Sequence, residues 1–249
     1  MKLNRRSVLG AIGLVGVGTG AAFGSGAFTS TTAERAVEVN VFGANAGPDG
    51  VVEINELDGG PTQQQNAQEE IAETITGNAV DVLVDISSDS VAVRANDGTL
   101  FSDGTALFPN PTDGSSVYGQ NSGDPFDDGA NIDNEEEYVS LVANDVTIVF
   151  GPGDSDGAGV PPNSVLTYDP FFAFADPQGN GSSVEFQTTA NDNAEQLLTS
   201  IASSSVSSAD GSGVEFSTVS NRQEESAEIS TGTASTETEN LDIVIGQSN

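Results

Sequence analysis

The segment Asp81-Val82-Leu83-Val84-Asp85-Ile86 is the stretch of sequence that most directly indicates the fold. Val82, Val84 and Ile86 occupy every second position, and a period of two with β-branched side chains is typical of a strand in a pleated sheet. The same alternation occurs in residues 37–41, 91–94 and 183–187. After Ala27, valine outnumbers leucine 22 to 9, a ratio that favours strands over helices. We therefore expect a mainly β protein.

Further runs of the same character bring the set to about a dozen short strands, separated by clusters of Gly, Asp, Asn and Pro. These additional strands are predicted at residues 51–57, 138–142, 146–150, 165–168, 171–175, 214–218, 227–230 and 241–245. Residues 62–75 and 193–202 instead place apolar residues at helical spacing, so each is predicted to form a short helix. The predicted fold is all-β: a two-sheet β-sandwich with one or two short helices.

The N-terminal segment has the composition of an export signal. The paired arginines of Asn4-Arg5-Arg6-Ser7-Val8-Leu9-Gly10 precede a weakly apolar run at 9–23, which resembles a twin-arginine translocation signal. That run is shorter than the ~20 residues that span a bilayer, so a membrane anchor is the less favoured interpretation. Small residues at 25 and 27 suit cleavage after Ala27. We expect residues 1–27 to be the signal and 28–249 to form a single domain, exported and extracellular or cell-surface associated, with no membrane span after signal removal.

The charge of residues 28–249 is extreme. They hold 38 acidic side chains and three arginines, a formal net charge of −35. Molar salt shortens the Debye length to ~3 Å and screens most of the self-repulsion, so the composition indicates adaptation to high salt and resembles that of secreted haloarchaeal proteins. Disorder is the competing interpretation, but Leu, Ile, Val and Phe make up about 23% of this segment, just above the ~20% below which disorder is favoured. Nucleic acid and anionic lipid are unfavourable partners for such a field.

Composition also removes most catalytic chemistry. The chain has no histidine and no cysteine, and no lysine follows Lys2. Ser-His-Asp, Cys-His, Ser-Lys and Schiff-base mechanisms therefore lack a base or nucleophile, and a catalytic zinc site lacks its usual ligands. A hydrolase that uses two carboxylates remains an alternative, ranked below a structural protein and a binding module. We predict a non-enzyme and assign no catalytic, cofactor-binding or metal-binding residue.

Several acidic or Gly-rich segments could act as loops or cation sites. The longest is the polar segment 109–137, for which a solvated surface is favoured over a specific ion site. Asp154-Ser155-Asp156-Gly157 resembles the start of a calcium loop but lacks its later ligands, so only weak surface cation binding is expected. Asp97-Gly98 and Asp103-Gly104 are predicted to be two successive turns, because Asp-Gly favours hairpin turns. Residues 203–213 and 221–226 are predicted to be solvated turns, and Asn180-Gly181-Ser182 has the pattern of a glycosylation acceptor.

Two stretches carry a family resemblance. The junction at 26–37 (GAFTSTTAERAV) and the segment 160–172 (VPPNSVLTYDPFF) are similar to a group of secreted haloarchaeal proteins of unassigned activity that carry twin-arginine signals. The junction also resembles, more distantly, the TasA/camelysin group of biofilm-matrix proteins. That resemblance implies a jelly-roll-like sandwich and filament growth in which the N-terminal strand of one subunit completes the sheet of the next. The twin-arginine signal differs from the usual TasA type, and no histidine is present to support the protease activity of camelysin relatives.

The function predicted from these features is a non-enzymatic, secreted or cell-surface structural or matrix protein. Residues 28–36 are expected to be a free arm available for self-association, because the threonines at 29, 31 and 32 favour an extended backbone that can add to a sheet edge. A disordered terminus is the alternative for this segment. The alternative function is an extracellular module that binds divalent cations or glycans through the acidic loops.

Overall fold

A computed structural model provides the structure of the protein. It describes residues 30–35, 49–53, 60–77, 79–109, 118, 138–151, 159–176, 179, 181–189, 197–206, 213–219, 222–232 and 236–247. In this part of the chain the strands are β1 (Ser30–Arg35), β2 (Asp81–Asp85), β3 (Val91–Ala95), β4 (Leu100–Phe101), β5 (Tyr138–Ser140), β6 (Val146–Phe150), β7 (Val165–Ala175), β8 (Ser182–Thr189), β9 (Leu198–Ile201), β10 (Ser204–Ser205), β11 (Val214–Phe216), β12 (Arg222–Ser230) and β13 (Thr236–Gln247). One α-helix, α1 (Pro61–Thr76), and a 3-10 turn (Gly104–Ala106) complete the described elements.

The strands form two sheets. One has seven strands in the order β11-β8-β13-β1-β6-β3-β4, and the other has six in the order β10-β9-β12-β7-β2-β5. Neighbouring strands are antiparallel throughout, except that β1 runs parallel to β13. The predicted all-β sandwich is therefore confirmed.

Aromatic rings fill the space between the two sheets. Phe150 of the seven-stranded sheet stacks on Phe171 of the six-stranded sheet, with ring centroids 5.6 Å apart. Farther along β7, Phe172 lies 4.8 Å from Phe186 of β8. These rings and the inward-facing valines, leucines and isoleucines of both sheets form one continuous buried cluster. Offset and tilted ring pairs at these distances favour a well-packed core over a fluid one.

Helix α1 covers the outer face of the six-stranded sheet. Ile71 and Ile75, one turn apart on the helix, belong to a second buried cluster that includes Leu83 of β2 and Ala173 of β7. Strand β2 is therefore buried on both faces: Val82 and Val84 face the other sheet and Leu83 lies beneath the helix layer. A strand buried on both faces reads as the nearly continuous apolar run seen in its sequence.

The helix predicted at 62–75 is confirmed, and the helix predicted at 193–202 is wrong for its described residues, 197–202. Leu198 to Ile201 form strand β9, paired with β12, and Ala202 and Ser203 make the two-residue turn into β10. Both turn residues have positive φ, 50° and 61°, as a type I′ hairpin turn requires. A short apolar run with Leu197, Leu198 and Ile201 fits either period, and pairing with a neighbouring strand determines the outcome here.

Other differences concern strand lengths. The predicted strands 165–168 and 171–175 are one strand, β7, that continues through Pro170. Residues 222–226, predicted to be part of a solvated turn, belong to β12. Glu53 forms only an isolated bridge to Leu107, so the strand predicted at 51–57 is absent from its described residues, 51–53. The strand predicted at 37–41 and the signal at 1–27 lie outside the described residues.

Candidate functional site

Strand β1 occupies an interior position of the seven-stranded sheet. It lies between β13 and β6, and we call the gap between those two strands the β1 slot. Ser30 to Arg35 therefore do not form a free arm in a single chain, and that prediction is wrong for these six residues. The expected extended backbone is present in Ser30 to Arg35, but it pairs on both sides and therefore does not lie at an exposed sheet edge.

The two walls of the β1 slot are β13 and β6, and they pair with different lengths of β1. On the parallel side, all six residues are in register with β13, from Ser30 opposite Thr236 to Arg35 opposite Leu241. On the antiparallel side, Thr31 to Ala33 are opposite Phe150 to Ile148 of β6. Removing β1 would leave two unpaired strand edges facing each other, and unpaired edges are templates for another strand.

The first half of β13 depends on β1 for its pairing. Strand β8 pairs with β13 from Asn240 to Gln247, whereas β1 pairs with Thr236 to Leu241. Among the described strands, β1 is therefore the only one that pairs with the Thr236 to Glu239 part of β13. The parallel wall of the slot is therefore the part of the sheet whose order is most dependent on β1.

A buried glutamate lies in this wall. Glu239 is opposite Ala33 of β1 and is only 5% exposed. Its Oε2 accepts hydrogen bonds from the backbone N–H groups of Leu197, at 3.1 Å, and Leu198, at 2.8 Å. Leu198 is the first residue of β9 in the opposite sheet and Leu197 directly precedes it, so one side chain joins the slot wall to the other half of the sandwich.

A second buried carboxylate lies beneath the helix layer. Asp81 of β2 is fully buried and accepts hydrogen bonds from the hydroxyls of Tyr118, at 2.9 Å, and Ser140, at 2.7 Å. Burial, followed by the negative charge of Asp81, raises the pKa of Tyr118 well above its usual value. Ser140 also accepts from the N–H of Ala143. This cluster joins Tyr118, which belongs to the polar sequence 109–137, to strands β2 and β5 of the six-stranded sheet.

The acidic segments that the structure describes differ in their local backbone structure. Asp97-Gly98 does form a hairpin turn between β3 and β4, where Thr99 N–H donates to Asp97 and lowers the pKa of that carboxyl. Asp103-Gly104 does not, because Gly104 begins the 3-10 turn. Residues 154–157 and 180, and all of 110–137 except Tyr118, lie outside the described residues. Where side chains are described, no group of three or more His, Cys, Asp or Glu residues could hold a metal ion.

Sequence reasoning missed the carboxylates of Glu239 and Asp81 as buried groups. Glu239 stands in Thr236-Glu237-Thr238-Glu239-Asn240, which reads as a polar, solvated stretch. The only available signal was its position two residues before Leu241 and four before Ile243, which share its inward side of β13. For the second site, the available signal was Tyr118 itself, one of the two aromatic residues, with Phe126, in the mainly polar segment 109–137.

Comparison of the chain with protein-family models, curated proteins and solved structures finds no match in any of the three. The haloarchaeal and TasA-like relationships therefore stay predictions from the sequence. No helix within the described residues is long and apolar enough to cross a membrane.

Proposed function

We propose that this protein is a secreted or cell-surface structural subunit of a halophilic archaeon, and that its copies assemble by exchanging strand β1. The observation that carries the proposal is the interior position of β1 between β13 and β6. A second copy of β1 can make the same main-chain pairs, because the slot that receives it is identical in every copy. Exchange of an identical element between protomers needs no new interface.

The sequence position of β1 favours exchange. Residues 36–48 separate it from Asp49, the next described residue, and thirteen residues can span up to about 40 Å when extended. If the signal is cleaved after Ala27, only Phe28 and Thr29 precede the strand in the mature chain. A strand near a chain end can leave its sheet without threading a loop through the fold.

The direction of pairing would give such an assembly polarity. The incoming strand must run parallel to β13 and antiparallel to β6, so it can enter in one orientation. Each copy would donate β1 at one place and accept at another, which is a heterologous contact. Heterologous contacts that do not close into a ring produce filaments.

Introduced cysteines provide a direct test, because the natural chain has none. Thr32 and Val149 are opposite each other in the antiparallel β1–β6 pair, and the Cα separation of such pairs suits a disulfide. In Thr32→Cys/Val149→Cys, oxidation of the monomer should lock β1 in its own slot and block filament formation in molar KCl. Oxidation after assembly should produce covalent multimers on a denaturing gel.

The matched control places cysteines at Arg94 and Thr147, which are opposite each other in the β3–β6 pair. That disulfide should form within one chain before and after assembly and should leave filaments unaffected in electron micrographs. Filaments that contain only intrachain Thr32–Val149 links, or monomers under every reducing condition, would show that the proposal is wrong.

A further inference from the structure

We propose that Glu239 keeps the parallel wall of the β1 slot in place when β1 is absent, so that an incoming strand meets a formed edge. This inference rests on the strand exchange proposed above and assigns a positioning role to one residue of that site. The position of Glu239 in β13, its burial and its two backbone partners support the role.

The wall needs such a contact because its strand pairing is one-sided. Thr236 to Glu239 pair with β1 and begin four residues before β8 joins β13 at Asn240. When β1 leaves, these residues lose their described strand partner. A strand segment without a partner regains backbone freedom, and an incoming strand must then order it again on binding.

The Glu239 side chain supplies a link that does not involve β1. It accepts from the N–H groups of Leu197 and Leu198, both in the core between the sheets. The carbonyl of Leu197 in turn accepts from the N–H of Ser230 in β12. The contact therefore joins the wall to two strands of the opposite sheet, neither of which borders the slot.

The residue type is informative at this position. Glu239 shares the inward side of β13 with Leu241 and Ile243, where an apolar residue would add to the core. A buried carboxylate is unfavourable unless hydrogen bonds satisfy it. Two backbone donors satisfy one of its oxygens, Oε2, and fix where the side chain ends, whereas a leucine would pack without fixing the strand in one place.

Hydrogen exchange in the unmodified full chain tests the inference directly. Strand opening exposes the amides of Ser30 to Arg35, but the Leu197 and Leu198 amides stay bonded to Glu239 if the wall remains in place. Those two amides should therefore exchange at least roughly tenfold more slowly than the amides of β1. Equal rates in both segments would mean that the wall opens together with β1, which would overturn the inference.

A capture experiment separates this inference from the proposed function. Ala33→Pro in the full chain removes a backbone donor from an interior strand position and should empty the slot. A fluorescent synthetic peptide of residues 28–36 should then bind in molar KCl. Adding Glu239→Ala should slow its association roughly tenfold, and Glu239→Gln should restore part of the rate because its amide oxygen still accepts.

Glu228→Ala is the matched control. Glu228 also accepts a hydrogen bond from β9, from the Thr199 hydroxyl at 3.1 Å, but it lies in β12 away from the slot. Glu228→Ala should leave the association rate of the peptide unchanged. Equal capture rates with and without Glu239 would overturn only the inference. A folded Ala33→Pro protein that captures no peptide would overturn the proposed strand exchange itself. If Ala33→Pro does not fold, the hydrogen-exchange comparison still decides.

Discussion

Replacement of Tyr118 by phenylalanine isolates the energy of one buried hydrogen bond. The hydroxyl donates to the carboxylate of the fully buried Asp81 at 2.9 Å, while the ring packs edge-on against Phe108 with centroids 6.0 Å apart. Phenylalanine keeps the ring contact and removes the donor. Hydrogen bonds to charged groups contribute about 1.5–3 kcal/mol. We expect Tyr118→Phe to lower the free energy of unfolding by about 2 kcal/mol near neutral pH.

Tyr138→Phe is the matched control. Its hydroxyl donates to Glu224 at 3.2 Å, and Glu224 is exposed, so water can replace the lost donor. Its cost should stay below about 1 kcal/mol. Both tyrosine rings are buried in the cluster beneath the helix layer, so the two variants differ mainly in the burial of the acceptor.

The change in stability at alkaline pH tests whether the pKa of Tyr118 is raised in the folded protein. Burial, then the charge of Asp81, raises the pKa of Tyr118 in the folded protein. Above the unfolded pKa of about 10, the unfolded chain releases a proton that the folded chain retains, so stability falls as pH rises. About one pH unit above that value, this loss is about 1.4 kcal/mol for the natural protein and is absent from Tyr118→Phe.

Urea unfolding in molar KCl, followed by circular dichroism, measures both effects. The natural protein should exceed Tyr118→Phe by about 2 kcal/mol near neutral pH and by about 0.6 kcal/mol near pH 11. A difference that is the same at both pH values would refute the assigned burial of the tyrosine hydroxyl. Equal neutral-pH costs for Tyr118→Phe and Tyr138→Phe would refute the argument from the buried acceptor.

Two further predictions concern backbone conformation, and the same unfolding assay checks both. Ser203→Gly should raise the free energy of unfolding by about 0.5–1 kcal/mol, because Ser203 has φ 61° in the β9–β10 turn; Ser205→Gly, in β10, should not be stabilising. Gly151→Ala should lower the free energy of unfolding by about 3 kcal/mol. Gly151 has φ 62°, and an added Cβ would lie 2.6 Å from the backbone nitrogen of Val160. Gly98→Ala, at φ 96° with no atom within 4 Å of the added Cβ, should cost only about 1 kcal/mol; equal costs at the two glycines would contradict the steric argument.

The strands that could be predicted from the sequence are those whose faces differ in polarity or that are fully buried. The strand predicted at 146–150 has the same bounds as β6. The alternating segment that begins at Asp81 forms β2. Strand β7 is predicted as two separate strands, 165–168 and 171–175, and Pro170 lies between them. In the structure the register with β12 passes from Phe172 to Tyr168 across an irregularity, so no regular ladder bond is needed from the proline.

The location of β1 could not be predicted from its own residues. Ser-Thr-Thr-Ala-Glu-Arg has no apolar alternation, and such a segment is equally compatible with an extended arm and with a strand. Its partners are β13, about two hundred residues away in sequence, and β6. Pairing over such separations depends on which edges the rest of the fold leaves open, and one sequence does not contain that information locally.

The buried carboxylates show how the acidic composition acts inside the fold. Asp81 accepts from two hydroxyls, Glu239 from two backbone N–H groups and Asp176 from the N–H of Gly181. With three arginines for 38 acids after Ala27, basic side chains are too few to pair with most carboxylates, and neutral donors must satisfy many of those that become buried. Salt screens surface ion pairs strongly and buried hydrogen bonds much less. In the molar salt that the net charge predicts, contacts like that of Glu239 therefore retain their strength, and they are the contacts on which a slot for an exchanged strand can depend.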